Sequence, residues 1–255
     1  MSEAKSEAIR AENITKNFGS VTALAGVSLT VAWGETLGIL GDNGAGKSTL
    51  IKILTGYHQP DSGQVYVDGR PVRLGSVDEA RALGIECVYQ DLALVNGLSI
   101  YHNMFLNREL LWAGPLKLLD HKTMRRRAAA ALAEIGVAVP SIDVEVGQLS
   151  GGQRQAIAVA RAVSSNARIL LLDEPLAAMG AREARLIIDL IDRLRARGDI
   201  AIVMIAHNYA QTLEICDRVM LIQHGEVTFE SHAATTSAEE LLDIVRREYR
   251  AARAG

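Results

Sequence analysis

The chain has 255 residues, of which 49% are hydrophobic, and a formal net charge of −3. This size allows one large domain or two small ones around a substantial core, and the charge argues against a dedicated nucleic-acid binder, so we expect no nucleic-acid partner. No apolar run approaches the roughly 20 residues that span a bilayer, and the first ten residues lack the apolar core of a signal peptide. We therefore expect a cytoplasmic chain whose two cysteines, Cys87 and Cys216, are buried thiols in a reducing compartment.

The first ninety residues alternate between strand patterns and helix patterns. The predicted strands are two antiparallel strands within residues 9–31 that turn near residues 19–20, and single strands at 35–40, 63–69 and 85–90. One helix is predicted from Lys47 to a stop at Gly56, directly after a glycine-rich loop. Another begins with a capping box, Ser76 with Glu79, and stops at Gly84.

From about residue 91 to 165 the pattern is mainly helical, and the segment contains an Arg-Arg-Arg run that we expect on a solvated helix face. Strand patterns return at residues 168–174, 200–207 and 218–223, with helices between them. The last segment predicts a capped helix that begins with Ser237 and Glu240, and its apolar positions are Leu241, Val245 and Tyr249. Alternating strands and helices predict an α/β fold, with a largely parallel sheet flanked by helices.

The loop "GDNGAGKST" matches G-x-x-x-x-G-K-[ST] from Gly41 to Ser48, with a predicted strand before it and a helix after it. In such a loop successive backbone N–H groups surround phosphate oxygens, Lys47 reaches the outer phosphates, and the Ser48 hydroxyl is available to Mg²⁺. The alternative is a glycine-rich turn that binds nothing, but the strand–loop–helix context favours a nucleotide. The predicted nucleotide-binding residues here are Gly41, Asn43, Gly44, Ala45, Gly46, Lys47, Ser48 and Thr49.

Polar residues follow three other predicted strands. Asp173 and Glu174 end a buried strand, and carboxylates there face the crevice at the carboxyl edge of a sheet. We expect Asp173 as a Mg²⁺ partner and Glu174 as the group that polarises an attacking water, although two such carboxylates could also cap a helix. Gln90 could contact Mg²⁺ or the water. His207 could contact a terminal phosphate, the alternative being a structural histidine.

A second anion-binding feature is the stretch "LSGGQRQAIAVARAV", in which Ser150 and Gln153 form an S-x-x-Q capping box. A capping box alone would only start a helix. It does not need Gly151 and Gly152, which weaken a helix but let another group approach the backbone closely. Since the N-terminus of a helix attracts anions, this stretch indicates a second phosphate-facing site.

Together these motifs resemble the nucleotide-binding subunit of an ATP-binding cassette (ABC) transporter. The matching segments are "GDNGAGKST", Tyr89-Gln90, "LSGGQRQ", "ILLLDEP" and "IAHN", in the family's order, within a resemblance that extends from about residue 9 to 230. It implies a P-loop NTPase core with an antiparallel β subdomain and a helical subdomain that carries LSGGQ. We assign the whole chain, 1–255, to one such domain: core and β subdomain at about 7–90 and 166–235, helical subdomain at about 91–165, C-terminal helix at about 237–252.

The resemblance also implies ATP and Mg²⁺ as cofactors and a second copy of the chain as a partner. In this family two cassettes face head to tail, so each ATP lies between the P-loop of one chain and the LSGGQ stretch of the other, here Ser150, Gly151, Gly152 and Gln153. The implied metal-site residues are Ser48, Gln90 and Asp173. The implied catalytic residues are Glu174, His207 and Gln90, and the implied adenine-stacking aromatic is Phe18.

Several segments resemble the ATPases of monosaccharide importers more than other branches: "GYHQPDSGQVYVDGRPV", "SVDEARALGIECVYQDLALVNGLSI" and "NMFLNRE". This branch implies a transmembrane permease, a periplasmic or extracellular substrate-binding protein, and a peripheral position on the cytoplasmic face of the inner membrane. Residues 90–111 would contact the permease, or else pack internally. The alternatives are an amino-acid, lipid or export transporter, and a soluble ABC protein of DNA repair or translation.

Three positions depart from the family pattern. Many members have Thr or Ser at Leu176, and Leu-Asp at Met179-Gly180. That aspartate helps to connect the two sites across the dimer in the family, and this chain has Gly180 in its place.

Overall fold

The computed structural model of the protein describes residues 6–113 and 116–254, with residues 248–254 described by their backbone alone. The strands are β1 (Glu7–Phe18), β2 (Val21–Ala32), β3 (Thr36–Leu40), β4 (Ser62–Val67), β5 (Arg70–Val72), β6 (Ile85–Val88), β7 (Ile169–Asp173), β8 (Ala201–Ile205), β9 (Arg218–Gln223) and β10 (Glu226–His232). The helices are α1 (Lys47–Leu54), α2 (Val77–Ala82), α3 (Ile100–Met104), α4 (His121–Glu134), α5 (Gly151–Ser164), α6 (Ala181–Ala196), α7 (Tyr209–Ile215) and α8 (Ala238–Ala254).

The strands form two sheets. The larger has the order β10-β9-β3-β8-β7-β6, and only the β10–β9 pair in it is antiparallel. The smaller sheet, β2-β1-β4-β5, is antiparallel throughout. The predicted α/β fold, with a mostly parallel sheet and a separate antiparallel sheet, is confirmed.

The larger sheet has an apolar core on each face, because side chains alternate along each strand. In β7, Ile169 and Leu171 point to the core shared with α1 and the antiparallel sheet. Leu170 and Leu172 point to the opposite core, shared with α5 and α6. Strands buried on both faces give the continuous apolar runs from which β3, β7, β8 and β9 were predicted.

The predicted helix-rich middle segment contains α3, α4 and α5. In α4, Met124, Ala128 and Leu132 are buried at four-residue spacing, while Arg125–Arg127 are exposed, as expected for a solvated face. At the end of the chain, α8 buries Leu241 and Val245, and the Tyr249 side chain lies outside the described residues. The subdomain boundaries remain a prediction.

Some details differ from the sequence predictions. The edge strands β5 and β10 were not predicted; the side chains of β10 alternate between exposed and half-buried, a pattern with no apolar run. The strand predicted at 85–90 ends at Val88, so Gln90 lies beyond it. Cys216 is buried as expected, but Cys87 is only partly buried.

Candidate functional site

The four neighbouring parallel strands β3, β8, β7 and β6 bring the predicted site residues to one edge of the larger sheet. Their ends lie level, because Ile205 pairs with both Ile39 and Asp173, and Leu172 pairs with Val88. The glycine loop follows β3, His207 follows β8, Glu174 follows β7 and Gln90 follows β6. Four segments that are distant in sequence therefore share one crevice, where the carboxyl ends of parallel strands bind ligands.

The shape of the glycine loop is fixed because its backbone packs closely against two strands. Gly41 has φ +142° and Gly46 has φ +106°, a region that side chains other than glycine rarely adopt. A Cβ at Gly41 would collide with the carbonyl oxygen of Ile222 in β9, and one at Gly46 with that of Ala23 in β2. Asn43 and Gly44 at the tip are exposed, so the loop has a fixed base and an open face.

Lys47 lies over this loop, with only 5% of the residue exposed. Its Nζ donates hydrogen bonds to the carbonyl oxygens of Gly41, at 2.6 Å, and Asp42, at 2.8 Å. Burial lowers the Lys47 pKa, and the nearby charges of Glu174, Asp42 and Asp173 act against that shift. A desolvated ammonium at this position interacts strongly with phosphate, because little water competes for it.

The first turn of α1 continues the phosphate-binding surface. Its N-cap, Gly46, provides no side-chain hydrogen bond to the helix start, so the first N–H groups are free of that competitor. The Ser48 hydroxyl belongs to an exposed residue and Thr49 is half-buried. Open N–H groups, two hydroxyls and a buried cation on one loop fit the phosphates of a nucleotide.

The carboxylates of the crevice face this lysine from β7. Glu174 has a left-handed backbone, φ +52°, and its N–H donates to the carbonyl oxygen of Ile205 at 3.0 Å. Its Oε1 lies 2.6 Å from His207 Nε2, so the histidine orients the glutamate. Burial and the charge of Glu174 raise the Asp173 pKa, while Lys47 opposes the rise. The left-handed backbone makes Glu174 a strained position, and strained positions are common at functional sites.

The LSGGQ stretch forms the start of α5. The Ser150 hydroxyl accepts a hydrogen bond from Gln153 N at 3.3 Å, and Ser150 N donates to Gln153 Oε1 at 3.1 Å. The predicted capping box is therefore confirmed. A Cβ at Gly152 would lie 2.9 Å from the Cβ and 3.2 Å from the Cα of Glu183 in α6. The group that approaches this glycine in the single chain is therefore Glu183.

Comparison with known proteins decides the family. The family model described as "ABC transporter" matches residues 24–177. A xylose/arabinose import ATP-binding protein of Sulfolobus acidocaldarius is 42% identical over 94% of both chains. A fructose import ATP-binding protein of Rhizobium meliloti is 41% identical over 87% of both. The chain belongs to the ABC transporter family, as an ATPase domain.

Solved structures of ABC cassettes share this fold. The ADP conformation of the cassette MJ1267 has a TM-score of 0.77 and 26% identity, and the match covers 93% of this chain and 94% of that one. The dimeric bacterial cassette MJ0796 has a TM-score of 0.73, also at 26% identity, over 88% and 98% of the two chains. A ribose import ATP-binding protein of Chromobacterium violaceum is 39% identical over 91% of this chain, which spans about half (45%) of that protein's length.

Two further features of this ABC ATPase bear on its site. Phe18, at the end of β1, is 44% exposed, and its ring meets the His58 ring edge-on with centroids 5.3 Å apart. Glu183 contacts the start of α5 and was not predicted as a site residue. Its sequence position was the one available indication, because it lies three residues after Gly180, at a helix start that favours a carboxylate.

Within the described ranges, no helix is both long enough and apolar enough to cross a membrane.

Proposed function

We propose that this ABC ATPase binds and hydrolyses ATP with Mg²⁺ at the interface of two copies, and that this drives the import of a monosaccharide. The observation that carries the proposal is the arrangement of one crevice. It holds a glycine loop with a buried lysine, and opposite the lysine a glutamate that a histidine holds in place.

Different residues of the chain have different roles in the proposed hydrolysis. Lys47 and the loop N–H groups bind and orient the phosphates. Glu174 accepts a hydrogen bond from the attacking water and orients it, and His207 fixes the side chain of Glu174 at 2.6 Å. In the tautomer that donates from Nε2, His207 holds this carboxylate oxygen in place. Gln90 lies exposed at the same edge, within the loop that leads to the helical segment.

The oxygen donors of the crevice fit Mg²⁺. Ser48 offers a hydroxyl, Gln90 an amide oxygen and Asp173 a carboxylate, which are the hard ligands that this ion prefers. No group of three or more histidine, cysteine, aspartate or glutamate side chains that could hold a metal occurs among the described residues. A site completed by phosphate oxygens and water agrees with that finding, and the bound ion would neutralise phosphate charge.

The second copy completes the site. The start of α5 is capped by Ser150 and Gln153, and its glycines allow a phosphate to approach the backbone. In a head-to-tail pair, Ser150, Gly151, Gly152 and Gln153 bind the terminal phosphate held by the partner's Lys47. The dimeric cassette MJ0796 supports this assembly.

The names of the relatives support a class of transported substrate. Those at about 40% identity over most of this chain are import proteins for xylose/arabinose and fructose. We propose the same substrate class here, with a transmembrane permease and a periplasmic or extracellular sugar-binding protein as partners. The ATPase then lies peripherally on the cytoplasmic face of the membrane.

The shared site is tested by trapping the ATP-bound dimer in a variant that does not hydrolyse ATP. Glu174→Gln keeps the side-chain shape but removes the charge that activates water and repels phosphate. We expect this variant to form a dimer with ATP but not with ADP in analytical ultracentrifugation. Adding Lys47→Ala should leave a monomer that has lost ATP binding.

Adding Ser150→Arg instead should abolish the dimer while the monomer still binds ATP, which isothermal calorimetry measures alongside. The matched control is Ser164→Arg, the same substitution at the exposed far end of α5, which should leave the dimer intact. If the Ser150→Arg protein dimerises as well as Glu174→Gln alone, this serine and its glycines only cap a helix.

A further inference from the structure

The exposed apolar side chains of this ATPase are concentrated in one short segment. Of the eleven large apolar residues that are exposed within the described ranges, six lie between residues 106 and 119. They are Leu106, Leu111, Trp112, Leu116, Leu118 and Leu119, with exposed fractions from 37% to 78%. Single exposed apolar residues are ordinary, but a group of them in one place marks an interaction surface.

Backbone pairing makes part of this segment a short antiparallel ribbon. Residues 110–112 run against residues 118–120, and we call these six residues the apolar arm. Trp112 N donates a hydrogen bond to the carbonyl oxygen of Leu118 at 2.8 Å. The arm ends at Asp120, which is the N-cap of α4. The ribbon is therefore attached directly to the start of a helix.

The arm carries apolar side chains on both of its faces. Because side chains alternate along a strand, Leu111 lies on the same face as Leu119, with which it pairs. Trp112 and Leu118 lie on the opposite face, and all four residues are exposed. A folded partner that packs on a ribbon covers one face of it. The boundary layer of a bilayer, in contrast, surrounds an inserted segment and covers both faces.

Positive charge lies at the base of the arm. In α4, Lys122 and Arg126 are four residues apart on one side of the helix, and both are exposed. Arg127 is exposed next to them, and Lys117 is exposed directly before the second strand of the arm. Within the described part of the chain none of these four residues forms an ion pair, whereas Arg125 is held by an aspartate at 2.6 Å. Their charges are therefore available to an anionic surface.

We propose that the apolar arm is a membrane anchor: its leucines and tryptophan enter the interfacial layer of a bilayer, and the basic residues beside it contact anionic lipid headgroups. Tryptophan favours the boundary between headgroups and acyl chains, and lysine and arginine keep their charged ends at headgroup level. A small apolar insertion is marginal by itself, so the adjacent basic residues supply the second attraction. The inference rests on the proposed function in that it places the chain at a membrane, but the contact needs neither the permease nor a second copy.

The position of the arm in the chain gives this anchor a use. The arm continues from residues 90–111, which are predicted to contact the permease, and it leads into α4, whose buried face packs in the core of the helical segment. An anchored arm therefore keeps the helical segment at the membrane surface. The ATPase then meets its permease by moving along the membrane instead of through the whole solution.

The first test uses the purified, nucleotide-free chain in vesicle flotation. One set of vesicles is phosphatidylcholine alone, and the other is an equal mixture of phosphatidylcholine and phosphatidylglycerol. We expect binding to the anionic vesicles only, and weaker binding as salt is added, because salt screens the headgroup attraction. Binding to neither set overturns the inference but leaves the proposed function intact, since a permease can recruit the ATPase without lipid contact.

A substitution in the arm tests the apolar contribution. Leu118→Ser should weaken binding to the anionic vesicles about tenfold, the effect of losing the burial of most of one leucine side chain. Leu116→Ser repeats the test at the leucine with 78% exposure. The matched control is Leu242→Ser, which changes an exposed leucine of α8 and should leave binding unchanged. Equal binding by all three variants and the unmodified chain overturns the anchor.

A pair of substitutions in α4 tests the charge contribution. Lys122→Gln/Arg126→Gln should weaken binding to the anionic vesicles about tenfold or more, because each basic residue near an anionic surface adds to the attraction. The matched control is Arg70→Gln/Arg73→Gln, two exposed arginines in and beside β5, which should bind as the unmodified chain does. An equal loss in both pairs would show attraction by overall charge and overturn the role of this surface.

Tryptophan fluorescence reports insertion directly. The chain has two tryptophans, so Trp33→Phe leaves Trp112 as the single one. Its emission should shift to shorter wavelength on anionic vesicles, and lipids brominated on their acyl chains should quench it. Unshifted emission from a chain that floats with the vesicles would assign the binding to charge alone and overturn the anchor.

A protein contact is the competing use of the arm, and proteoliposomes that contain the permease distinguish it. If Leu118→Ser lowers the ATPase activity there but leaves vesicle binding and the emission of Trp112 unchanged, the arm contacts the permease and the lipid inference is overturned. Because the substituted side chains are exposed, each variant should keep the melting temperature and the ATP affinity of the unmodified chain. A loss of vesicle binding under those conditions supports the anchor.

Discussion

Phe18 illustrates how one exposed aromatic residue borders the nucleotide crevice. It ends β1 and pairs with Val21 across the hairpin, and Ala23 of the same hairpin packs on Gly46 of the glycine loop. The edge of its ring touches His58, whereas 44% of the residue remains exposed. An exposed apolar ring beside a phosphate loop provides a flat surface on which an adenine can stack.

We therefore expect Phe18→Ala to weaken ATP binding by about 1 kcal/mol, the scale of one aromatic stacking interaction. Phe18→Tyr keeps the π-face and should bind as the unmodified chain does. Calorimetric titration with ATP and with a triphosphate that lacks a base would check this, because only ATP should respond to the substitution. Equal ATP affinities for the Ala and Tyr variants would place the adenine elsewhere.

At the scale of elements, the starts of α1 and α4 differ in their side-chain capping. The start of α4 is capped by Asp120, whose side chain accepts a hydrogen bond from Thr123 N at 3.0 Å. The start of α1, by contrast, receives no side-chain hydrogen bond from its N-cap Gly46. The Asp120 cap satisfies one N–H group at the start of α4 within the chain, whereas the start of α1 at the crevice has no such side-chain partner and leaves its N–H groups for phosphate.

The cap of α4 predicts a pH-dependent contribution to stability. Hydrogen bonds from Thr123 hold the Asp120 pKa below its ordinary value, so the stabilisation is present above that value and is lost as the pH falls through the folded-state pKa. Asp120→Ala should lower the melting temperature at pH 7, and this deficit should shrink as the pH is lowered below about 4. Asp120→Asn, which still accepts the hydrogen bond, should keep more of the stability. A deficit of Asp120→Ala that does not change with pH would exclude a charged cap.

Some secondary-structure elements could be predicted from the sequence and others could not. Strands buried on both faces, such as β7 and β8, are visible as apolar runs, and the polar residues after them predict the crevice because parallel strands end at one edge. The edge strand β10 has no apolar run, since its residues alternate between exposed and half-buried. The contact of Glu183 with Gly152 joins two helices that are separate in sequence, and only their packing creates it.

At the scale of the molecule, the architecture separates the nucleotide crevice from the surface that would meet a membrane partner. The crevice lies at the carboxyl edge of the larger sheet, and the helical segment of α3, α4 and α5 packs on one face of that sheet. Gln90 lies between them, directly before the segment that leads into α3. A partner that moved this segment could therefore change the position of Gln90 at the site.

The sugar-import proposal predicts how the complete transporter behaves. The purified chain alone should bind no monosaccharide, because the substrate contacts belong to other chains. Reconstituted in liposomes with its permease, the chain should release phosphate from ATP several times faster when a sugar-loaded binding protein is added. The sugar without the binding protein should have no such effect, and Glu174→Gln should release almost no phosphate under any condition. Stimulation by an amino-acid or lipid carrier in place of the sugar carrier would contradict the proposed substrate but leave the chain an ATPase of the ABC transporter family.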